Sequence, residues 1–243
     1  MSKIIVYSAN IGKYDKFREP TIVDPNIEYY LFTDDTSIKS NVWNIINYKF
    51  EDKTLDNKKK SRVIKCNPHL ILPEHDISIW IDANFLPLFD NAVKLLESIK
   101  FLDKNIMIYQ HRDRKCLYQE AKVVKAMNYD IPEIIDNQMA RYKEDGFPEN
   151  YGLFESGFVI RKNNNAVNEF NELWWDEIKN NSSRDQLSQM YASWKTNVTI
   201  DRIMVGTDVF TNQFIGEYTF HHGKSMTPNW SMEKIMDLYL KKK

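Results

Sequence analysis

Short apolar segments and longer amphipathic segments alternate along most of the chain. The apolar segments have the length and side-chain types of buried β-strands; they are Lys3–Ser8, Tyr29–Phe32, Trp43–Tyr48, Ile77–Ile81, Asn105–Tyr109 and Gly157–Arg161. The amphipathic segments repeat apolar residues every three or four positions, as helices on a sheet do; they are Thr54–Cys66, Asn91–Phe101, Leu117–Met127, Glu133–Lys143, Ala166–Lys179 and Arg184–Trp194. This alternation predicts an α/β fold.

Composition narrows the class of protein. The chain has 243 residues without an internal repeat or a low-complexity linker, so we expect a single domain over residues 1–243. Its 33 Lys and Arg against 34 Asp and Glu argue against a dedicated nucleic-acid binder. No signal peptide is visible, and no apolar window approaches the length of a membrane span. Two isolated cysteines fit a reducing, cytoplasmic location.

The Lys241–Lys243 tail has two interpretations. It is either a solvated terminus or a point of peripheral contact with an anionic membrane.

Asp82 and Asn84 follow the apolar strand Ile77–Ile81. Ligands of open α/β sheets bind beyond the carboxyl ends of strands. Two oxygen-bearing side chains at this spacing are a common partial site for Mg²⁺ or Mn²⁺ beside a substrate phosphate. Asp and Asn are also common turn residues, so a purely structural role stays open.

Asp185 lies where the helix of Arg184–Trp194 begins. Ser183 and Gln186 match a capping box, which would leave Asp185 in the first turn, where the helix dipole favours a carboxylate. Asp185 could also point into the cleft beyond the sheet and contact a reacting sugar or accept a proton. The two roles are compatible.

Other polar groups could serve the same edge of the sheet. Arg62 and Lys65 share one face of a basic helix and could meet phosphates, or they could be solvated. His222 could supply a neutral imidazole to a metal, and Lys224 could hold a phosphate. Further candidates near strand ends are His111, Arg112, Glu155 and Gly157. The chain lacks the G-x-S-x-G, G-x-x-x-x-G-K and G-x-G-x-x-G patterns, which argues against a simple α/β-hydrolase, a P-loop NTPase and a Rossmann dehydrogenase.

Taken together, several segments resemble a known family, the TOD1/MUCI70 glycosyltransferase-like domain. The resemblance covers about residues 3–195, and its segments are Val6–Asp15, Phe32–Asp34, Arg62–Lys65, Ser78–Asn84, His111–Arg112, Tyr118–Ala121, Trp174–Trp175 and Ser183–Ser188. The chain is more distantly similar to glycogenin-like glycosyltransferases of the GT-A fold. The resemblance implies a single GT-A-like, Rossmann-like α/β/α domain with a mixed central sheet, completed by residues 196–243.

The resemblance also implies roles for individual residues. Asp82 and Asn84 stand at the D-x-D position with Asn in place of the second Asp, and Asp185 with Gln186 stands at the D-Q helix start. The implied catalytic residues are Asp185 and Glu155. The implied metal ligands are Asp82, Asn84 and His222. The implied donor-binding residues are Tyr7, Ser8, Ala9, Thr33, Asp34, Arg62, Lys65, Asp82 and Lys224. The implied acceptor or sugar-binding residues are His111, Arg112, Gly157 and Gln186.

The function predicted on this basis is metal-assisted transfer of a sugar from a nucleotide diphosphate sugar, a UDP-sugar, to a hydroxyl of a glycan or glycolipid. Mn²⁺ or Mg²⁺ is the expected cofactor. A metal-dependent hydrolase that cleaves a ceramide-like amide is one alternative, and a catalytically silent sugar-binding module is another.

Overall fold

A mixed seven-stranded sheet organises the protein. The computed structural model describes residues 2–88 and 90–204. Its strands are β1 (Ile4–Asn10), β2 (Glu28–Thr33), β3 (Asn44–Asn47), β4 (Ile77–Ile81), β5 (Ile106–Gln110), β6 (Phe154–Lys162) and β7 (Ile200–Arg202). They lie in the order β3-β2-β1-β4-β6-β5-β7, and β6 alone runs antiparallel to its neighbours. The carboxyl ends of β1, β2, β4 and β5 therefore share one edge with the amino end of β6.

Helices cover both faces of the sheet. They are α1 (Asn57–Cys66), α2 (Pro68–Ile71), α3 (Ala92–Ser98), α4 (Leu117–Ala126), α5 (Pro132–Glu144), α6 (Asn165–Asn180) and α7 (Gln186–Thr196). Every residue of β1 and β4 is buried, which explains why these strands are almost continuously apolar. One core cluster includes Trp80 and Trp174, and a second includes Ile79 and Leu96. The prediction of an α/β fold with a mixed central sheet is confirmed.

The predicted elements differ from the observed ones in a few places. Asn67 and Pro68 do end α1, but a further short helix, α2, starts at Pro68, since proline is tolerated in a first helical turn. Strand β6 begins at Phe154, three residues earlier than predicted, because its buried polar residues hid the strand pattern. Strand β7 was not predicted; it is three residues long and includes Asp201 and Arg202. That residues 196–243 complete the domain stays a prediction.

Candidate active site

Two carboxylates and two cations from distant parts of the sequence meet at the shared edge of the sheet. The Lys65 ammonium lies 2.5 Å from Asp185 Oδ2 and 3.5 Å from Asp82 Oδ1. Arg62 Nε lies 3.3 Å from the same Asp185 oxygen. The side chains of Lys65 and Asp185 are almost fully buried, whereas that of Asp82 is 28% exposed. Lys65 thus bridges the two acidic residues that the sequence identified separately.

Asp82 is held at the end of β4 by its neighbours. Its backbone N–H donates to the carbonyl of Gly157 on β6, and its Oδ1 accepts from Trp80 Nε1 at 2.7 Å. A Cβ added at Gly157 would lie 2.9 Å from the Phe85 ring and 3.4 Å from Asp82 Oδ2. Gly157 was predicted to contact the acceptor or the sugar; in the structure, Phe85 and Asp82 lie against the position that a side chain would take there.

Asp185 is the N-cap of α7 and not a first-turn residue. Its Oδ1 accepts from the N–H of Gln186 at 3.1 Å, and its Oδ2 accepts from Ser156 Oγ at 2.8 Å. The predicted capping box is wrong, because the Ser183 hydroxyl donates to Asp130 at 2.8 Å. The Ser183 side chain therefore bonds to Asp130 and does not cap α7.

The charge of Asp185 is stabilised by its surroundings. Burial alone would raise the pKa of this carboxyl, but the positive charges of Arg62, Lys65 and Arg184 outweigh burial and hold the pKa well below its usual range. Asp185 is therefore ionised throughout the physiological pH range, and its basicity is low.

Two buried side chains hold the backbone carbonyl of Lys65 in place. The hydroxyl of Tyr7 donates to the Lys65 carbonyl at 2.7 Å, and Arg161 Nη2 donates to the same carbonyl at 2.6 Å. Arg161 Nη1 also donates to Asn171 Oδ1 at 2.7 Å. Tyr7 was predicted to contact the nucleotide, but it is fully buried and supports Lys65 instead.

The remaining residues predicted to hold the nucleoside lie in β1 or bond to its carboxyl end and the loop that follows. Ser8 and Ala9 are buried within the strand. The Thr33 hydroxyl donates to the Asn10 carbonyl at 2.8 Å, and Asp34 Oδ1 accepts from the Gly12 N–H at 2.8 Å. These bonds fasten the end of β1 to the end of β2.

His111, Arg112 and Glu155 lie at the β5 and β6 side of the same edge. His111 Nδ1 accepts from the backbone N–H groups of Asp113 at 3.1 Å and Arg114 at 3.2 Å. Burial and the Arg114 charge lower the His111 pKa to about 4, so the imidazole is neutral. The Arg112 N–H is 3.4 Å from Glu155 Oε1, and the Arg112 side chain pairs with exposed Asp113.

Gln186 is the first residue of α7, and its side chain contacts β6. Its Nε2 donates to the Phe154 carbonyl at 3.1 Å, and its Oε1 accepts from Arg184 Nη2 at 3.4 Å. Within the described residues, therefore, one group of predicted site residues gathers around Asp185, and the others flank it along the edge of the sheet.

Comparison with known proteins assigns the family. The family model described as "TOD1/MUCI70, glycosyltransferase-like domain" matches residues 1–219. The chain belongs to this glycosyltransferase-like family.

Two plant proteins, after which the family is named, are similar to the chain. "Probable hexosyltransferase MUCI70" of Arabidopsis thaliana is 26% identical, with 76% of this chain and 36% of the relative covered. "Alkaline ceramidase TOD1" of Arabidopsis thaliana is 20% identical, with 88% of this chain and 53% of the relative covered. The chain thus spans about half or less of each relative.

The metal site expected from the family resemblance rests on Asp82 within the described residues. Its carboxylate is a hard oxygen ligand with part of its surface exposed, although Lys65 lies beside it. Asn84 is buried, and its backbone carbonyl accepts from Arg18 at 3.2 Å. Among residues 2–88 and 90–204, no three His, Cys, Asp or Glu side chains form a group that could hold a metal ion. His222 and Lys224 lie outside the described residues.

Three residues that hold the charged groups of the site in place were not predicted from the sequence. Ser156 donates to Asp185, Trp80 donates to Asp82, and Arg161 supports Lys65. For Ser156 and Arg161 the available signal was a polar residue on either side of the apolar run Phe158–Ile160, because polar groups buried beside such a run need specific partners. Within the same described ranges, no helix has the length and apolar character of a membrane span.

Proposed function

We propose that this chain transfers a sugar from a nucleotide diphosphate sugar, a UDP-sugar, to a hydroxyl group of a glycan or glycolipid. The observation that carries the proposal is the Lys65 ammonium between Asp82 and Asp185 at the ligand-binding edge of the sheet. Membership of a glycosyltransferase-like family supports the same reaction class.

Arg62 and Lys65 would offset the charge of the departing diphosphate. Both lie on the face of α1 that contacts Asp185, and the Arg62 side chain is 18% exposed. Fixed positive charge in a partly dehydrated site stabilises developing negative charge more strongly than water does. Lys224 is a further predicted phosphate contact.

Asp185 would hold the cations and the reacting sugar in position, and not act as a base. A carboxylate whose pKa is held low by Arg62 and Lys65 is a poor proton acceptor at neutral pH. Glu155, on the adjoining strand and 9% exposed, is the alternative carboxylate for proton transfer.

Asp82 fits a hard cation that takes most of its other ligands from the donor phosphates, because Mg²⁺ commonly needs only one or two protein carboxylates. Mn²⁺ or Mg²⁺ bound there would neutralise diphosphate charge. Asn84 and His222 are the proposed additional ligands.

The test is release of UDP from a panel of UDP-hexoses and UDP-pentoses in the presence of Mn²⁺, Mg²⁺ or EDTA. We expect at least one donor to be turned over, and Asp82→Asn to lower the rate on the order of 10²-fold. Asp136→Asn is the control, because Asp136 is an exposed carboxylate on α5. Metal-independent binding and turnover of the donor would remove the metal from the proposal. Absence of turnover with every donor would contradict the transferase.

Two alternatives give different results in parallel assays. The relative named an alkaline ceramidase raises amide hydrolysis, which would release fatty acid from a ceramide without any sugar donor. A silent sugar-binding module would bind UDP-sugars without releasing UDP. The cytoplasmic location and peripheral membrane contact stay predictions.

A further inference from the structure

The loop between α4 and α5 presents apolar side chains to solvent beside the candidate site. This loop, residues 128–131, is called the Tyr129 loop below. Tyr129 is 41% exposed and Ile131 is 56% exposed. Ile131 is also the N-cap of α5 and makes no side-chain capping bond. Isoleucine is a poor N-cap, so local helix stability does not explain this residue.

The Tyr129 loop is fastened to the segment that leads into Asp185. Asp130 Oδ2 accepts from the Ser182 hydroxyl, the Ser183 hydroxyl and the Ser183 N–H, each at 2.8 Å. Lys58 Nζ on α1 donates to the Tyr129 carbonyl at 3.2 Å. The backbone of the loop is thus held in place before any ligand arrives, which reduces the entropy lost on binding.

Helix α1 relates the loop to the charged centre. Lys58 and Arg62 are four residues apart, so they lie on one helix face about 6 Å apart along the axis. Lys58 contacts the Tyr129 loop, and Arg62 contacts Asp185. Helix α1 therefore contacts the Tyr129 loop and the charged centre through two side chains that are one helical turn apart.

The side chain of Arg184, a hydrogen-bond donor, lies beside the Tyr129 ring. The Arg184 guanidinium lies 5.2 Å from the Tyr129 ring centroid, and its Nη2 donates to Gln186 Oε1 at 3.4 Å. Gln186 is one of the residues predicted to bind the acceptor or the sugar. An aromatic surface beside a few fixed polar groups is typical of sites for ligands that have both apolar and polar faces.

We propose that the Tyr129 loop is the acceptor subsite and takes a hexose ring of a glycan. The C–H face of the sugar packs on Tyr129 and Ile131, and its hydroxyls accept hydrogen bonds from Arg184. The role as acceptor subsite rests on the proposed function, whereas sugar binding by the loop can be tested separately.

The first test measures binding without catalysis. Saturation-transfer difference NMR is recorded with methyl glucoside, methyl galactoside and methyl galacturonide on the full chain. We expect at least one to bind, Tyr129→Ala to weaken its binding at least 10-fold, and Tyr129→Phe to keep it within about twofold. Leu102→Ala is the control, because Leu102 is 57% exposed and lies before β5, at the opposite edge of the sheet. Binding of none of the three probes, or equal binding by Tyr129→Ala, overturns the proposal.

The second test separates the subsite from the transferase. UDP release from the best donor is measured with and without the bound methyl glycoside. Tyr129→Ala should lower only the acceptor-stimulated rate and leave the rate with water unchanged. Loss of both rates to the same extent would overturn the acceptor role. If the wild-type chain releases no UDP yet binds the glycoside through Tyr129, the proposed function fails while the sugar-binding subsite stands.

Discussion

At the residue scale, Lys65 is a lysine whose side chain is almost fully buried. A buried ammonium is stable only with a partner, and Asp185 supplies that partner at 2.5 Å. Arg62 and Asp82 lie around the same pair, so charge is balanced between neighbours from α1, β4 and the start of α7. Asp185 should therefore stabilise the fold by more than a helix cap does, because it also neutralises buried positive charge.

A double-mutant cycle tests this interdependence. Lys65→Met and Asp185→Asn should each lower the free energy of unfolding by about 3–5 kcal/mol, because each leaves a buried charge without its closest partner. The double variant should lose less than the sum by about 1–3 kcal/mol in urea unfolding. The Lys125–Asp136 pair is the control, since Asp136 is 60% exposed and such pairs couple by less than about 1 kcal/mol. Additive losses at Lys65 and Asp185 would refute the coupling.

At the element scale, the two ends of α1 have different surroundings. Its N-cap, Asp56, accepts from the N–H of Lys59, and its exposed first turn carries lysines. Near its carboxyl end, the Lys65 carbonyl accepts from Arg161 on β6. A buried guanidinium at this end complements the helix dipole and fixes the turn from which Lys65 extends.

Replacement of Arg161 tests whether β6 stabilises the end of α1. Arg161→Met should lower the free energy of unfolding by about 1–3 kcal/mol, because Asn171 Oδ1 loses its donor and the Lys65 carbonyl loses one of two. The measurement is the urea midpoint. Arg202→Met is the control, because Arg202 is the exposed last residue of β7, and it should change stability by less than about 0.5 kcal/mol. An unchanged midpoint for Arg161→Met would show that the cation does not stabilise the helix.

At the scale of the whole molecule, buried titratable groups make the fold sensitive to acid. Burial and the Arg114 charge lower the His111 pKa to about 4, and burial also lowers the pKa values of His69 and His75. The unfolded chain therefore binds protons at these histidines at a higher pH than the folded chain does. Stability is present above an unfolded histidine pKa of about 6.5 and is lost as pH falls below it.

The pH profile of stability gives the corresponding prediction. The free energy of unfolding should fall steadily between about pH 6.5 and pH 4, because the unfolded state binds more protons in this window. His111→Asn should flatten part of the slope, since the Asn oxygen can still accept from the backbone N–H groups that His111 Nδ1 binds. Urea unfolding at several pH values measures the slope. Equal slopes in the two proteins would contradict the role of His111.

The sequence by itself determined the local features of this protein. Strands such as β4 and helices such as α6 were predicted because burial on one or both faces imposes a short-range pattern on apolar residues. The position of Asp82 beyond a strand and of Asp185 at the start of a helix followed from the same patterns. The motif order also identified the family.

Only the tertiary structure decided which of these residues act together. Lys65 and Asp185 are 120 positions apart in sequence, and they meet because α1 packs on the sheet where β6 brings Ser156 toward α7. Likewise Asp130 takes Ser183 from its expected capping role across 53 positions. No local pattern encodes such contacts, because they depend on strand order and on which buried polar groups find partners across the fold.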